Sequence, residues 1–242
     1  MFFNKLMGLL SQCNHLLLAS ACLLCGSTHT NVTNICDACF FNLPILPESC
    51  IQCGKFFSGV APESKKCGKC ITKPPPFDLT YALFPYVPPI ISLLIKLKYG
   101  LSLSHAKFFS EILINQIRSV WYLHQPLPDL ILPIPLHAKR LRERGFNQAV
   151  EIARPISKKL TIPMDLRHIK RIKYTQPQSN LKAKERQANV AKAFFTTKNY
   201  AGLTVAVVDD VITTGNTMTE FCHLLRKANV TAIHVWCCAR RG

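Results

Sequence analysis

The sequence predicts an α/β protein in which a largely parallel sheet flanked by helices follows an N-terminal cysteine-rich module. Three observations predict it. Eight cysteines fall in four CxxC pairs between residues 22 and 70. From residue 130 onward, short apolar runs alternate with amphipathic stretches, the pattern of crossover connections between parallel strands. One of those runs, Val205-Ala206-Val207-Val208, ends directly in Asp209-Asp210 and a turn rich in threonine and glycine.

The cysteine pairs come first in the chain. Cys22-x2-Cys25 with Cys36-x2-Cys39, and Cys50-x2-Cys53 with Cys67-x2-Cys70, each offer four thiolates on two knuckles. Tetrahedral zinc suits such a shell, and a shell with no open position is structural rather than catalytic. Sequential pairing of the knuckles is the default, and crossed pairing stays open. A segment this small cannot bury a core unaided, so two zinc ions should supply much of its folding free energy. Thiols held this way also imply a reducing compartment. The remaining cysteines, Cys13, Cys222, Cys237 and Cys238, sit in apolar contexts and read as core.

The N-terminal run MFFNKLMGLLSQCNHLLLAS looks faintly like an export signal. It has one lysine, is broken by Ser11, Gln12, Asn14 and His15, and runs straight into Cys22. An amphipathic helix with Phe3, Leu6, Leu10, Leu17 and Leu18 on the core is the plainer reading, and docking on a membrane surface the sharper one. No uninterrupted apolar run reaches the ~18 residues needed to span a bilayer.

Lys73-Pro74-Pro75-Pro76 reads as a stiff boundary, giving a helix and double zinc ribbon over residues 1–76 and a second domain over residues 77–242. In the second domain, residues 88–98 predict a short helix and residues 102–120 a longer one, with Phe108, Phe109, Ile112, Leu113 and Ile117 inward. Residues 130–135 predict a buried strand. A helix should follow, with Phe146, Val150, Ala153 and Leu160 on one stripe and Pro155 kinking or starting its last turns. Residues 205–209 predict a strand, 217–229 a helix and 231–239 a last strand.

Asp209 and Asp210 stand at the carboxyl edge of their strand, where open α/β sheets hold ligands. Adjacent carboxylates can accept hydrogen bonds from the two vicinal hydroxyls of a ribose. Thr213, Thr214, Gly215, Asn216 and Thr217 then open a helix whose unpaired first-turn amides form a nest for a phosphate. Neither GxxxxGK[ST] nor GxGxxG occurs, so P-loop and dinucleotide folds are excluded. The stretch matches the signature of type I phosphoribosyltransferases.

A second anion region follows the strand at 130–135. His137, Lys139, Arg140 and Arg144 crowd one strand-to-helix turn, and arginine forks suit a pyrophosphate. Residues 174–190 are polar, basic and glutamine-rich, and read as a loop that could close over the ligand with Lys182, Lys184 or Arg186.

PIPLHAKRLRERGFNQA, QPQSNLKAKERQANV and VVDDVITTGNT, in that order behind a cysteine ribbon, resemble the ComF family from Cys22 to Arg240. Ala138, where relatives commonly carry proline, and Pro155 are small departures. The resemblance implies a type I phosphoribosyltransferase-like domain with a role in competence, the uptake of transforming DNA. It also implies a site for phosphoribosyl pyrophosphate with Mg2+, carried by Asp209, Asp210 and residues 213–217, with the turn around Arg140 facing the pyrophosphate. A competence helicase or ATPase is the partner it points to, in the cytoplasm or at the inner-membrane surface.

Thirty basic residues face thirteen acidic ones, a formal charge of +17. Two tetrathiolate zinc sites at about −2 each would leave about +13. That excess attracts nucleic acid. Lys55, Phe56, Phe57, Lys65, Lys66 and Lys69 add aromatics and cations suited to single-stranded DNA. The alternative is a plain phosphoribosyltransferase acting on a base or other small acceptor, and the sequence names no acceptor pocket.

Overall fold

The computed structural model describes residues 20–30, 34–100, 103–174 and 192–242. The expected N-terminal helix, Cys13, and Lys182, Lys184 and Arg186 lie outside the described residues.

The chain forms two compact units, Met1–Leu43 and Pro44–Gly242. The first holds a two-stranded antiparallel ribbon, β1 (Ser20–Ala21) and β2 (Thr28–His29), and a short helix α1 (Asp37–Phe41). The second opens with the other cysteine block, which carries helix α2 (Gly68–Thr72). Expectation joined the two blocks in one module ending at residue 76. The second block shares the compact unit Pro44–Gly242 with the sheet.

That sheet has four strands, β3 (Leu79–Pro85), β4 (Leu130–Pro133), β7 (Thr204–Ile212) and β8 (Ala232–Arg240), in the order β3-β8-β7-β4. Every neighbouring pair is parallel. The central strands are largely apolar, as strands covered on both faces must be, apart from Asp209-Asp210 in β7 and His234 and Arg240 in β8. Strand β7 runs three residues beyond its expected end at residue 209, because β8 pairs with it from Thr204↔Ala232 to Ile212↔Arg240. The acidic pair therefore lies within the strand, near its carboxyl end.

Between the strands run α3 (Ile90–Tyr99), α4 (Leu103–Gln116) with a π-turn at Ile117–Trp121, α5 (Ala138–Arg144), α6 (Gln148–Leu160) and α7 (Asn216–Lys227). A two-stranded ribbon, β5 (Ile169–Arg171) with β6 (Phe194–Thr196), stands beside the sheet. Helix α4 and the π-turn after it bury all five residues expected to face inward, four on the helix and Ile117 on the turn, each stabilising the fold by about 1.5–3 kcal/mol. Helix α6 runs unbroken through Pro155, and its buried stripe is Ala149, Ile152, Ala153, Ile156 and Leu160. Val150, one position off that stripe, and Phe146, which precedes the helix, are only half-buried.

Phe221, Cys222 and Leu225 of α7 pack on Val205, Val207, Val235 and Cys237 of the sheet. Leu46 and Cys53 of the second cysteine block rest on that same cluster. Cys222, Cys237 and Cys238 are fully buried, as expected of core cysteines. On β8, Trp236 Nε1 donates to Tyr122 Oη at 3.1 Å, and Tyr122 Oη also shares a hydrogen bond with His234 Nδ1 at 2.6 Å.

Candidate functional site

The carboxyl ends of β7 and β4 open into a cavity of about 250 Å³. Asp209, Asp210, Thr213, Gly215, Asn216 and Thr217 line it, with Arg140 and Arg144 opposite. Two regions far apart in sequence thus meet at one sheet edge. Gly215 sits at φ 80° in the left-handed region, where glycine is favoured, and opens α7 without a side-chain cap. The first-turn amides therefore remain available to an anion. Thr214 is not part of the lining. His137 and Lys139 stay outside it as well: His137 Nδ1 accepts from Lys139 N and caps α5, and the Lys139 ammonium lies 4.7 Å from the Tyr174 ring centre.

The two carboxylates are not equivalent. Successive strand residues face opposite sides. Asp210 is buried and meets Lys98 Nζ of α3 at 2.6 Å, and Gln148 Nε2 of α6 reaches its other oxygen at 3.5 Å. Burial disfavours its charge, but the Lys98 ammonium outweighs that and holds Asp210 below the usual carboxylate range. Burial likewise opposes the Lys98 charge, and Asp210 more than restores it, so Lys98 is held above its usual range. Asp209 is pushed well above the normal range by burial and then by the neighbouring Asp210 charge. Burial and mutual repulsion thus drive the two carboxyls apart, Asp209 toward the protonated form and Asp210 toward the lysine-paired carboxylate.

A polar chain joins the acidic pair to the basic turn. Arg144 donates to Gln148 Oε1, and Gln148 in turn contacts Asp210. Sequence reasoning assigned no role to Lys98, Gln148 or Arg171, all of which line the cavity. Gln148 opens α6, four residues after Arg144 and across the break at Gly145, so no helical spacing announced their contact. Lys98 was hidden too, because a lysine in a helix's last turn reads as a complement to the macrodipole.

A second cavity of about 580 Å³ adjoins the first and shares Lys98, Tyr99, Arg140 and Arg144 with it. Tyr99 and Tyr174 supply aromatic surface there, and the Arg144 guanidinium lies 5.3 Å from the Tyr99 ring centre.

The cysteines form two sequential tetrads, Cys22, Cys25, Cys36 and Cys39, and Cys50, Cys53, Cys67 and Cys70, with all sulfurs of a tetrad within 4.8 Å of one another. Cys25 and Cys36 sulfurs are 3.7 Å apart, and Cys53 and Cys67 sulfurs 3.8 Å. A zinc tetrahedron with bonds of about 2.3 Å has edges of about 3.8 Å. Cys36 N donates to Cys22 Sγ and Cys67 N to Cys50 Sγ. Burial opposes ionisation of Cys22 and Cys50, but such amide hydrogen bonds prevail and bring them to about 6 and about 7. Cys39 is pushed up to about 12 by the crowded Cys25 and Cys36, and Cys70 is raised by burial and then Cys53. Four thiolates so close need a cation among them, and zinc fits both tetrads.

Fold and site define a class: a type I phosphoribosyltransferase domain carrying cysteine tetrads for two structural zinc ions. The family model for the phosphoribosyl transferase domain matches residues 147–242, and that for the double zinc ribbon domain matches residues 13–71. Competence protein F of Haemophilus influenzae is 34% identical over 224 residues, covering 90% of this chain and 96% of that protein. DNA utilization protein YhgH of Salmonella typhi and of Escherichia coli K12 are each 32% identical, covering 85% of this chain and 90% of theirs. The chain belongs to the ComF family, to which these proteins also belong.

Proposed function

We propose that the protein binds 5-phosphoribosyl 1-pyrophosphate and single-stranded DNA in the service of DNA uptake, as the name of its Haemophilus relative suggests. One observation carries the reading: a single cavity gathers the acidic pair, the uncapped start of α7 and the arginines of α5. The α7 amides and helix dipole would take the 5-phosphate. Asp209, once ionised, would accept from the ribose hydroxyls, and Arg140 and Arg144 would hold the pyrophosphate with Mg2+ as its counter-ion. Lys184 and Arg186 belong to the proposed covering loop.

The adjoining cavity supports the DNA half. Two tyrosines beside arginines give a base a surface to stack on and a phosphate its cation. Lys55, Lys65 and Lys69 are exposed on the second cysteine block and would extend that track, while Phe56 and Phe57 are half-buried and offer less. The same cavity suits a free base, so transfer to a small acceptor is the second reading. Thiol tetrads favour the cytoplasm. Among the described residues no helix is long and apolar enough to cross a membrane, which is compatible with a helicase or ATPase partner working at the inner-membrane surface.

Calorimetric titration with phosphoribosyl pyrophosphate and Mg2+ tests the site. Saturable heat is expected from the wild type and none from Asp209→Ala/Asp210→Ala, and equal heats would sink the assignment. Single-strand binding should weaken steeply with salt. No retention of an oligonucleotide at about 50 mM salt would remove the DNA reading. Pyrophosphate release dependent on one base would decide for the second reading.

A further inference from the structure

Arg240 ends strand β8 and is buried, 7% exposed. Its hydrogen bonds run to backbone carbonyls. Nε donates to Cys53 O at 3.0 Å, and one terminal nitrogen reaches Ile212 O at 3.0 Å, Arg241 O at 2.7 Å and Thr213 O. Cys53 belongs to the second tetrad, and Ile212-Thr213 is the exit from β7 into the phosphate nest. One side chain therefore spans from a metal knuckle to the proposed ligand loop.

The contact is tight on the metal side. A Cβ placed on Gly54, next to Cys53, would lie 2.9 Å from Thr80 Cγ2 and 3.5 Å from Arg240 Cδ. Thr80 seals the same knuckle, with Oγ1 donating to Gln52 O at 2.6 Å and its amide to Ile51 O at 2.8 Å. A buried guanidinium with carbonyl partners still needs negative charge nearby. A zinc tetrathiolate, at about −2, supplies it.

We infer that the second cysteine tetrad is coupled to the ligand site, and that Arg240 is the positioning residue through which it sets the phosphate loop. With the knuckle closed, Arg240 fixes the carbonyls of Ile212 and Thr213, and the amides that follow are held ready for an anion. With the knuckle open, the guanidinium loses both its Cys53 acceptor and its counter-charge, and the turn loosens. That loosening would lower ligand affinity, a consequence that rests on the phosphoribosyl reading, whereas the coupling of tetrad to loop does not.

Hydrogen–deuterium exchange on the full zinc-loaded chain tests it, following residues 211–217 against residues 205–208 in the interior of β7. Arg240→Lys keeps the charge and loses the fork. It should speed exchange at 211–217 by roughly tenfold while 205–208 stays protected and zinc content stays at two. Cys67→Ser, which removes a ligand of the second tetrad, should also speed exchange at 211–217 while lowering zinc content, and Cys39→Ser should leave 211–217 within about twofold of wild type. Unchanged exchange in Arg240→Lys, or an equal rise in Cys39→Ser, would overturn the coupling. If Cys67→Ser exposes 205–208 as well, Arg240→Lys alone decides. Titration of the wild type with phosphoribosyl pyrophosphate judges the ligand reading separately, since absence of heat there leaves the exchange result standing.

Discussion

The two cysteine tetrads have the same donors and similar spacing, yet they sit in different surroundings. The first closes a small unit of its own, with Cys25 exposed at its rim and Phe41 82% exposed on the helix it caps. The second has Cys50 and Cys70 buried, and its knuckle carbonyls accept from Thr80 and Arg240 of the sheet. Ligand chemistry therefore does not fix what a metal site does for a protein. The neighbours of its knuckles decide whether it pins a local turn or the frame of a sheet.

The largest effect should come from removing one thiolate at a time. Cys67→Ser is expected to destabilise the sheet unit by roughly 3 kcal/mol or more, read by urea unfolding with Trp236 fluorescence. Cys39→Ser should leave that transition where it was. Equal shifts would erase the distinction between the tetrads.

Thr80→Val keeps the shape of a buried side chain and removes its bond to the Gln52 carbonyl. A loss of about 1–2 kcal/mol is expected, together with faster chelator-driven zinc release from the second tetrad alone. Release accelerated from both tetrads would contradict the picture.

Asp209→Asn acts on the site without touching either tetrad, and should raise the melting temperature at neutral pH by a few degrees. The sign follows from its raised folded pKa. The folded chain holds a proton that the unfolded chain releases near pH 4, so wild-type stability falls as pH rises from there through the folded pKa. The asparagine variant lacks that fall, and its advantage should grow with pH across the window. A constant advantage from pH 4 to pH 8 would show the carboxyl to be unperturbed. Smallest of all, Phe41→Ser should change unfolding by less than about 0.5 kcal/mol, since the ring is mostly in water already.

Much of this was legible in the residues. Cysteine spacing gave both tetrads, and apolar runs gave three strands of the sheet, because both signals are local. The phosphate nest was legible for the same reason, its parts lying within nine residues from Asp209 to Thr217. What stayed hidden was long-range. Nothing near Lys98 announces Asp210, and nothing near Pro74-Pro75-Pro76 says that Gln52 will bond Phe77 across that break. Strand β7 outran its expected end because pairing with β8, not its own apolar content, carries it through two aspartates.

The bond between Arg240 and Cys53 joins residues 187 positions apart. Contacts of such separation close late, since the chain between them must be ordered before they are rewarded. The phosphate loop is therefore expected to be among the last parts set during folding. A chain with its helices collapsed but its second knuckle undocked would have a core and no competent cradle, so ligand binding reports the end of assembly.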